Sequence, residues 1–267
     1  MRSNNTSTGD ICILHDDKWL QRQRIAGKVA GQTLSLLEKL VQEKTVKTLL
    51  ELDKIAEEFI LSQGCVPTFL GYKNFPNSVC MSLDNEQAHG LVHGIPTDYR
   101  LQEGDLISFD TGASYEGTIG DTALTTIYGE TKSEAHVKLI QDTKKALTLG
   151  IQEIKIGQRI GAIGNAIYKF LSSKGYSVIT NYGGHSMTYN TPHSFPFVAN
   201  KSEMNNGIMM QKGMVLCIEP MAVLGSINKT YIGKDNWSVY AENTCAHEEH
   251  TIYVHEDKIE IITGRND

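Results

Sequence analysis

The sequence predicts an α+β fold. Two pairs of segments carry apolar residues at helical spacing, and short β-prone runs bounded by Gly, Pro, Asn and Asp lie between and after them. No low-complexity linker separates the two pairs, which favours one domain over two. Residues 1–15 open with a stretch rich in Ser, Asn and Thr and read as a flexible tail, leaving 16–267 as a single domain.

From Asp17 to about Gln42, Ile25, Val29, Leu36, Leu37 and Leu40 recur at helical spacing with charges between them. A second helix is predicted over about 46–62, using Leu49, Leu52, Ile55, Ala56, Phe59 and Ile60, with Gly64 placed to end it. Val79–Leu83, Leu106–Asp110 and Ala123–Tyr128 read as strands. Helices return at about 133–150 and 158–174. The last third is β-rich, with strands expected at Ser177–Thr180, Met214–Ala222, Trp237–Glu242, His247–Val254 and Ile259–Thr263. Each half therefore carries two helices and several strands in a similar order, a coarse hint of internal duplication.

Composition excludes several classes. With 40% hydrophobic and 21% charged residues over 267 positions, the chain can bury a core without staples. A formal net charge of −6 argues against a dedicated nucleic-acid binder. The five cysteines, Cys12, Cys65, Cys80, Cys217 and Cys245, are odd in number and form no C-x-x-C pair. That disfavours a disulfide framework or a zinc–thiolate knuckle and suits a reducing, cytoplasmic compartment. Neither a signal-peptide run nor a stretch of membrane-spanning length is present, so no membrane association is expected.

The chemistry concentrates in four places. In Ser108-Phe109-Asp110 to Gly120-Asp121-Thr122, a fold-back about Tyr115–Glu116 would set Asp110 directly opposite Asp121, with both carboxylates on one face. Two facing anions repel, and a divalent cation is the natural compensation. Capping of turns is the plainer role for such residues. His185 follows Gly183-Gly184, where backbone can approach a ligand closely, and His193 lies shortly after it. Glu219 interrupts the apolar run Met214–Val223, and a buried carboxylate there needs a partner. The run Ala246-His247-Glu248-Glu249-His250 interrupts a further strand in the same way. Together these stretches give two Asp, one His and two Glu, a set of oxygen and nitrogen donors without thiolate. Bridging carboxylates suit two cations about 3.5–4 Å apart. Cobalt, manganese, iron and zinc all fit such donors.

From Asp17 to Thr263 the chain resembles the methionine aminopeptidases, metallopeptidases of the pita-bread fold. The resemblance rests on Phe109-Asp110, Gly120-Asp121-Thr122, Gly184-His185, Ile218-Glu219-Pro220-Met221 and Glu249-His250-Thr251-Ile252, in that order. It implies a pseudo-two-fold antiparallel sheet with helices on the outside. It implies two divalent metal ions on Asp110, Asp121, His185, Glu219 and Glu249, with Asp121 and Glu249 bridging. The activity implied is hydrolytic removal of N-terminal methionine from peptides and nascent chains by a metal-activated hydroxide, with a small second residue preferred. It further implies catalytic roles for His93, His193 and Glu219. A methionine pocket would be formed by Phe69, Tyr72, Phe75, Cys80 and Trp237. A monomer is expected, with possible ribosome contact. The short span from Glu219 to Glu249 has no room for the helical insertion of the type II enzymes, so the chain resembles the short bacterial type I form.

Three features depart from the family pattern. Ser186-Met187-Thr188 follows His185 where Gly-x-Gly is common. The His185–His193 spacing is one residue longer and contains Pro192. Asn85 to Val92, which includes His89, is a longer loop. Proline-directed peptidases share the fold and the five ligand types but usually carry a substantial N-terminal domain, and the residues before Asp110 are mostly taken up by this domain's own elements. Non-catalytic modules on the same scaffold typically lose ligands, whereas here all five positions hold competent residues.

Overall fold

The computed structural model describes residues 3–5, 11–84, 91–131, 133–227 and 229–265. Four long helices organise it: α1 (Asp17–Gln42), α2 (Leu49–Ser62), α3 (Glu134–Gln152) and α4 (Gly161–Ser173). Residues 85–90, which hold most of the long loop and His89, lie outside the described residues.

Asp16 starts α1 by accepting a hydrogen bond from the Trp19 amide at 2.9 Å. The buried stripe of α1 runs through Ala26, Gly27, Val29, Ala30, Gly31, Leu34 and Leu37. Ile25, placed on that stripe by its spacing, faces solvent instead. The small residues let the helix lie flush on the sheet. A Cβ on Gly120 would sit 2.3 Å from the Gly27 Cα, so only glycine fits at that crossing. Thr48 caps α2 through the Glu51 amide at 3.2 Å, which is why the helix begins at Leu49 and not at 46. Gly64 follows α2 with φ 74°, as its placement predicted.

In the first half, strands Val66–Pro67, Leu106–Tyr115 and Val79–Asp84 form an antiparallel sheet to which Thr118–Ile127 adds by pairing with Leu106–Tyr115. In the second half, Ser177–Val178, Met221–Val223 and Cys245–His247 form one antiparallel set, and Val215–Ile218, His250–Val254 and Ile259–Ile261 another. Gly184–Thr188 and Thr191–Val198 pair as a hairpin. Each half has its own apolar core. One is built on Leu34, Leu37, Leu52, Ile107, Phe109 and Leu124, the other on Leu139, Ile163, Ile167, Leu216, Ile218 and Ile252. Trp19, Ile119, Met187, Cys217 and Tyr253 pack together between them.

Three further expectations change. The strands expected over Met214–Ala222 and His247–Val254 are each broken, one at Glu219-Pro220 and the other at Glu248-Glu249. The end of the expected tail is docked. Ile11–Ile13 pairs with Ser3–Asn5, Cys12 is fully buried in the second core, and His15 Nε2–H donates to the Met187 carbonyl at 2.9 Å. The hairpin register also differs: Tyr115 pairs with Thr118, so the turn is Glu116-Gly117. A two-residue turn of this kind needs positive φ at both central positions, supplied by Glu116 (46°) and Gly117 (79°). An aromatic residue such as Tyr115 is a poor occupant of that conformation.

Candidate active site

Because of that register, Asp110 pairs with Ala123 and Asp121 with Gly112. The two acids are diagonal neighbours rather than directly opposite. A shift of two residues keeps both on one face, so the expected convergence survives the changed register. His185 enters from the Gly184–Thr188 strand, which lies so close to Cys217 that a Cβ on Gly184 would meet the Cys217 carbonyl oxygen at 2.0 Å. Glu219 and Glu249 come from the two strand breaks.

All five residues line one cavity of about 490 Å³, together with His93, His193, Tyr182 and Phe195. His185 Nε2 stands 3.6 Å from Glu219 Oε1 and 3.9 Å from Asp121 Oδ2. Ligand atoms of Asp121, His185 and Glu249, with the Cys217 sulfur, lie within 4.8 Å of one another. His185 Nδ1 is 3.0 Å from the Ser186 carbonyl oxygen. A carbonyl only accepts, so Nδ1 donates to it and Nε2 is the nitrogen turned toward the acids.

The two halves are tied together directly behind these side chains. The Asp121 amide donates to Thr251 Oγ1 at 3.0 Å, and that hydroxyl donates to the Asp121 carbonyl at 2.7 Å. Thr122 Oγ1 donates to the Glu249 carbonyl at 2.7 Å, and the Glu249 amide to the Ala123 carbonyl at 2.9 Å. Asn200 Nδ2 donates to the Glu219 carbonyl at 3.0 Å. Arg265 caps the junction: Nη1 donates to Thr122 Oγ1 and the Ala123 carbonyl, both at 2.9 Å, and Nη2 pairs with Glu248 Oε2 at 3.2 Å.

The electrostatics identify what the cluster lacks. Burial raises the Asp110 carboxyl to about 7, the charge of Glu219 adding to it. Burial raises Asp121 and Glu249 well above the carboxylate range, and their mutual repulsion with Asp110 and Glu219 adds to it. Burial also works against the charged form of Glu219, but its His247 contact and the charges of His185, His247 and His93 outweigh that and hold it below the usual range. Asp110 Oδ1, Asp121 Oδ1 and Glu249 Oε1 are buried without a hydrogen-bond partner among the described residues. Buried carboxylate oxygens that repel one another and lack donors fit divalent cations.

A second cavity of about 410 Å³ adjoins the first, sharing His93, Asp110, Tyr182 and His193. Phe69, Tyr72, Phe75, Cys80 and Trp237 all line it. Phe75 and Trp237 meet edge to face with centroids 5.3 Å apart. Cys80 Sγ lies 3.8 Å from His93 Nδ1 and accepts from the Gly94 amide at 3.4 Å. Burial and the nearby His247 lower His93 to about 4, leaving a neutral imidazole near pH 7. His193 Nδ1 lies 3.2 Å from the Tyr72 hydroxyl, and its ring stands 4.5 Å from that of His185.

Sequence reasoning missed Tyr182, Asn200, His247 and Arg265. Tyr182 precedes the glycines that drew attention to His185, and His247 lies inside a stretch already singled out, so both were within reach. Asn200 and Arg265 carry no local signal.

The fold and this cluster define a class: a metal-dependent hydrolase on a pseudo-two-fold antiparallel sheet, with an acidic cluster drawn from both halves. The chain belongs to metallopeptidase family M24, whose model matches residues 21–256. It is 38% identical over 255 residues to the methionine aminopeptidase of Mycoplasma capricolum, covering 95% of this chain and 98% of that one. It is 38% identical over 242 residues to methionine aminopeptidase 1 of Bacillus subtilis, covering 90% and 94%. The crystal structure of methionine aminopeptidase from Rickettsia prowazekii superposes with a TM-score of 0.87 at 32% identity, covering 95% of this chain and all of that one. The fold is the pita-bread fold.

Proposed function

We propose that this chain is a methionine aminopeptidase, which hydrolyses the peptide bond after an N-terminal methionine in peptides and nascent chains, with a small second residue. The observation that carries this reading is the abutment of two cavities across His93 and His193: one lined by orphaned carboxylates, the other by Phe69, Phe75 and Trp237. An apolar, aromatic pocket suits a flexible thioether side chain, and hydrolysis would occur at its acidic edge.

Asp110, Asp121, His185, Glu219 and Glu249 would hold two divalent cations. Cations bound there would polarise a peptide carbonyl and acidify water. The chain's own groups do the rest. Phe69, Tyr72, Phe75, Cys80 and Trp237 hold the methionine side chain and exclude water from it. Glu219 takes the proton lost by the attacking water and passes it to the leaving amine. His193 donates to the oxyanion that develops on the scissile carbonyl, and Tyr72 steadies its ring from the other nitrogen. His93, fixed by Cys80, contacts the amide nitrogen of the residue after methionine.

The test is cleavage of Met-Ala-Ser by the purified protein supplied with Co²⁺ or Mn²⁺, set against a Xaa-Pro peptide, with His185→Ala as control. Methionine release by the wild type is expected. H185A should lose one equivalent of metal and at least about a hundredfold in kcat/KM. Turnover of the Xaa-Pro peptide alone, or full metal occupancy and activity in H185A, would refute the proposal.

A further inference from the structure

His247 is a buried imidazole beside Glu219 to which the roles above give no task. Its strand, Cys245–His247, is registered on Met221–Val223 with His247 opposite Met221, just past the Glu219-Pro220 break. The Glu248 amide donates to the Pro220 carbonyl at 3.2 Å and fixes the two breaks against each other. That register delivers the His247 ring to the Glu219 carboxylate. His247 Nε2 stands 3.6 Å from Glu219 Oε2, while His185 Nε2 stands 3.6 Å from Oε1 of the same carboxylate. His247 is only 3% exposed, and its Nε2 makes no hydrogen bond to any described residue. A buried nitrogen with one acidic oxygen before it and no other partner is aimed at that oxygen.

Glu219 is therefore bracketed by two imidazoles, one on each oxygen. From this geometry we infer that His247 is a positioning residue for Glu219: its Nε2–H holds Oε2, sets the plane of the carboxylate and leaves Oε1 toward His185 and the other acids. The inference rests on the reading of Glu219 as a metal-binding, proton-passing group. A ligating carboxylate gains orientation from such an outer partner, and losing one costs about 10–100-fold in metal affinity or activity.

Two polar variants separate positioning from simple burial. In His247→Gln the amide nitrogen reaches about as far from the backbone as imidazole Nε2 and can donate to Oε2. In His247→Asn the side chain is just as polar but stops one carbon short. Calorimetric titration of Co²⁺ into the metal-free proteins, and kcat and KM for Met-Ala-Ser, are measured for both and for the wild type. H247Q should stay within about threefold of the wild type in Co²⁺ affinity and in kcat. H247N should lose at least about tenfold in Co²⁺ affinity for one of the two sites and in kcat, with KM within about twofold. A purely structural role would lower the melting temperature of both variants and leave these ratios unmoved. Equal Co²⁺ affinities in all three proteins, or an H247Q as impaired as H247N, overturns the assignment. If the wild type binds Co²⁺ but leaves Met-Ala-Ser intact, the substrate reading fails while the calorimetric comparison still decides the role of His247.

Discussion

The two halves of the molecule deliver their acidic groups to the centre by opposite means. In the first half, Asp110 and Asp121 lie within ten-residue strands whose ladder runs unbroken from Leu106–Ile127 to Tyr115–Thr118. In the second, Glu219 and Glu249 lie where strands stop, between Ile218 and Met221 and between His247 and His250. A continuous ladder fixes side chains by register alone. A broken one gives up ladder hydrogen bonds and must restore them individually, which here falls to Asn200 at the Glu219 carbonyl and to Thr122 and Arg265 at the Glu249 carbonyl. The first half is therefore robust by construction, and the second depends on a few named tethers.

The sharpest way to probe the meeting point is to remove one charge from the pair that spans it. Asp121→Asn should lower kcat/KM for Met-Ala-Ser about a thousandfold, roughly 4 kcal/mol in the barrier. The same variant should be more stable than the wild type when free of metal. Burial and the charges of Asp110 and Glu219 hold the Asp121 carboxyl well above its ordinary value, so the metal-free fold opposes its ionisation. A neutral amide relieves that repulsion, by about 1 kcal/mol or more near pH 7. Calorimetric melting of the chelated proteins checks this, and a D121N melting temperature below that of the wild type would end the argument from crowding.

A second probe asks whether the tethers of the second half carry the weight given to them. Arg265 and Glu248 form an ion pair with side-chain exposures of only 4% and 0%, and burial lifts the Glu248 carboxyl to about 7 even with the arginine beside it. Arg265→Met leaves that acid without its guanidinium partner and removes one of the two donors on the Ala123 carbonyl. Breaking one side of such a pair costs about 3–5 kcal/mol. Denaturant melts should show a loss of that order, and adding Glu248→Leu to the same chain should recover part of it. A double variant no better than the single one assigns the loss to the hydrogen bonds on Thr122 and Ala123 instead of to the stranded charge.

These contrasts also explain what the amino-acid order revealed. α1 and α3 were legible within two residues at each end, because amphipathic spacing over several turns is a strong local signal. The five acidic and imidazole positions were legible because each breaks an apolar or glycine-rich context where solvation alone gives no reason for it. The hairpin turn was misplaced because Glu116-Gly117 is marked only by one glycine and by the reluctance of Tyr115 to take positive φ, yet the error preserved the face and therefore the site. The Gly184–Thr188 and Thr191–Val198 strands gave no alternating pattern, since glycine, proline and shifts in their register interrupt it. Arg265 was invisible because two of its partners, Thr122 and Ala123, lie more than a hundred residues away, and its own neighbours carry no periodicity.

The mildest probe lies at the rim, where α1 of the first half meets the last strand of the second. Glu260 accepts from Arg24 Nε and Nη2 and from His255 Nε2, and the Arg24 hydrogen bonds and charge, with His255, outweigh partial burial and hold its carboxyl down at about 2. A carboxyl depressed in the folded state adds stability above its unfolded pKa, and that contribution disappears as pH falls through the folded value. The window here runs from the ordinary glutamate value of 4.5 down to about 2. Arg24 is about half exposed, so solvent screens the pair, and the contribution should stay under about 1 kcal/mol. Glu260→Gln should therefore melt slightly below the wild type at pH 7 and converge with it as pH approaches 2. A gap that widens on acidification would mean that the Arg24–Glu260 contact does not hold the halves together, leaving that task to the bonds behind Asp121 and Glu249.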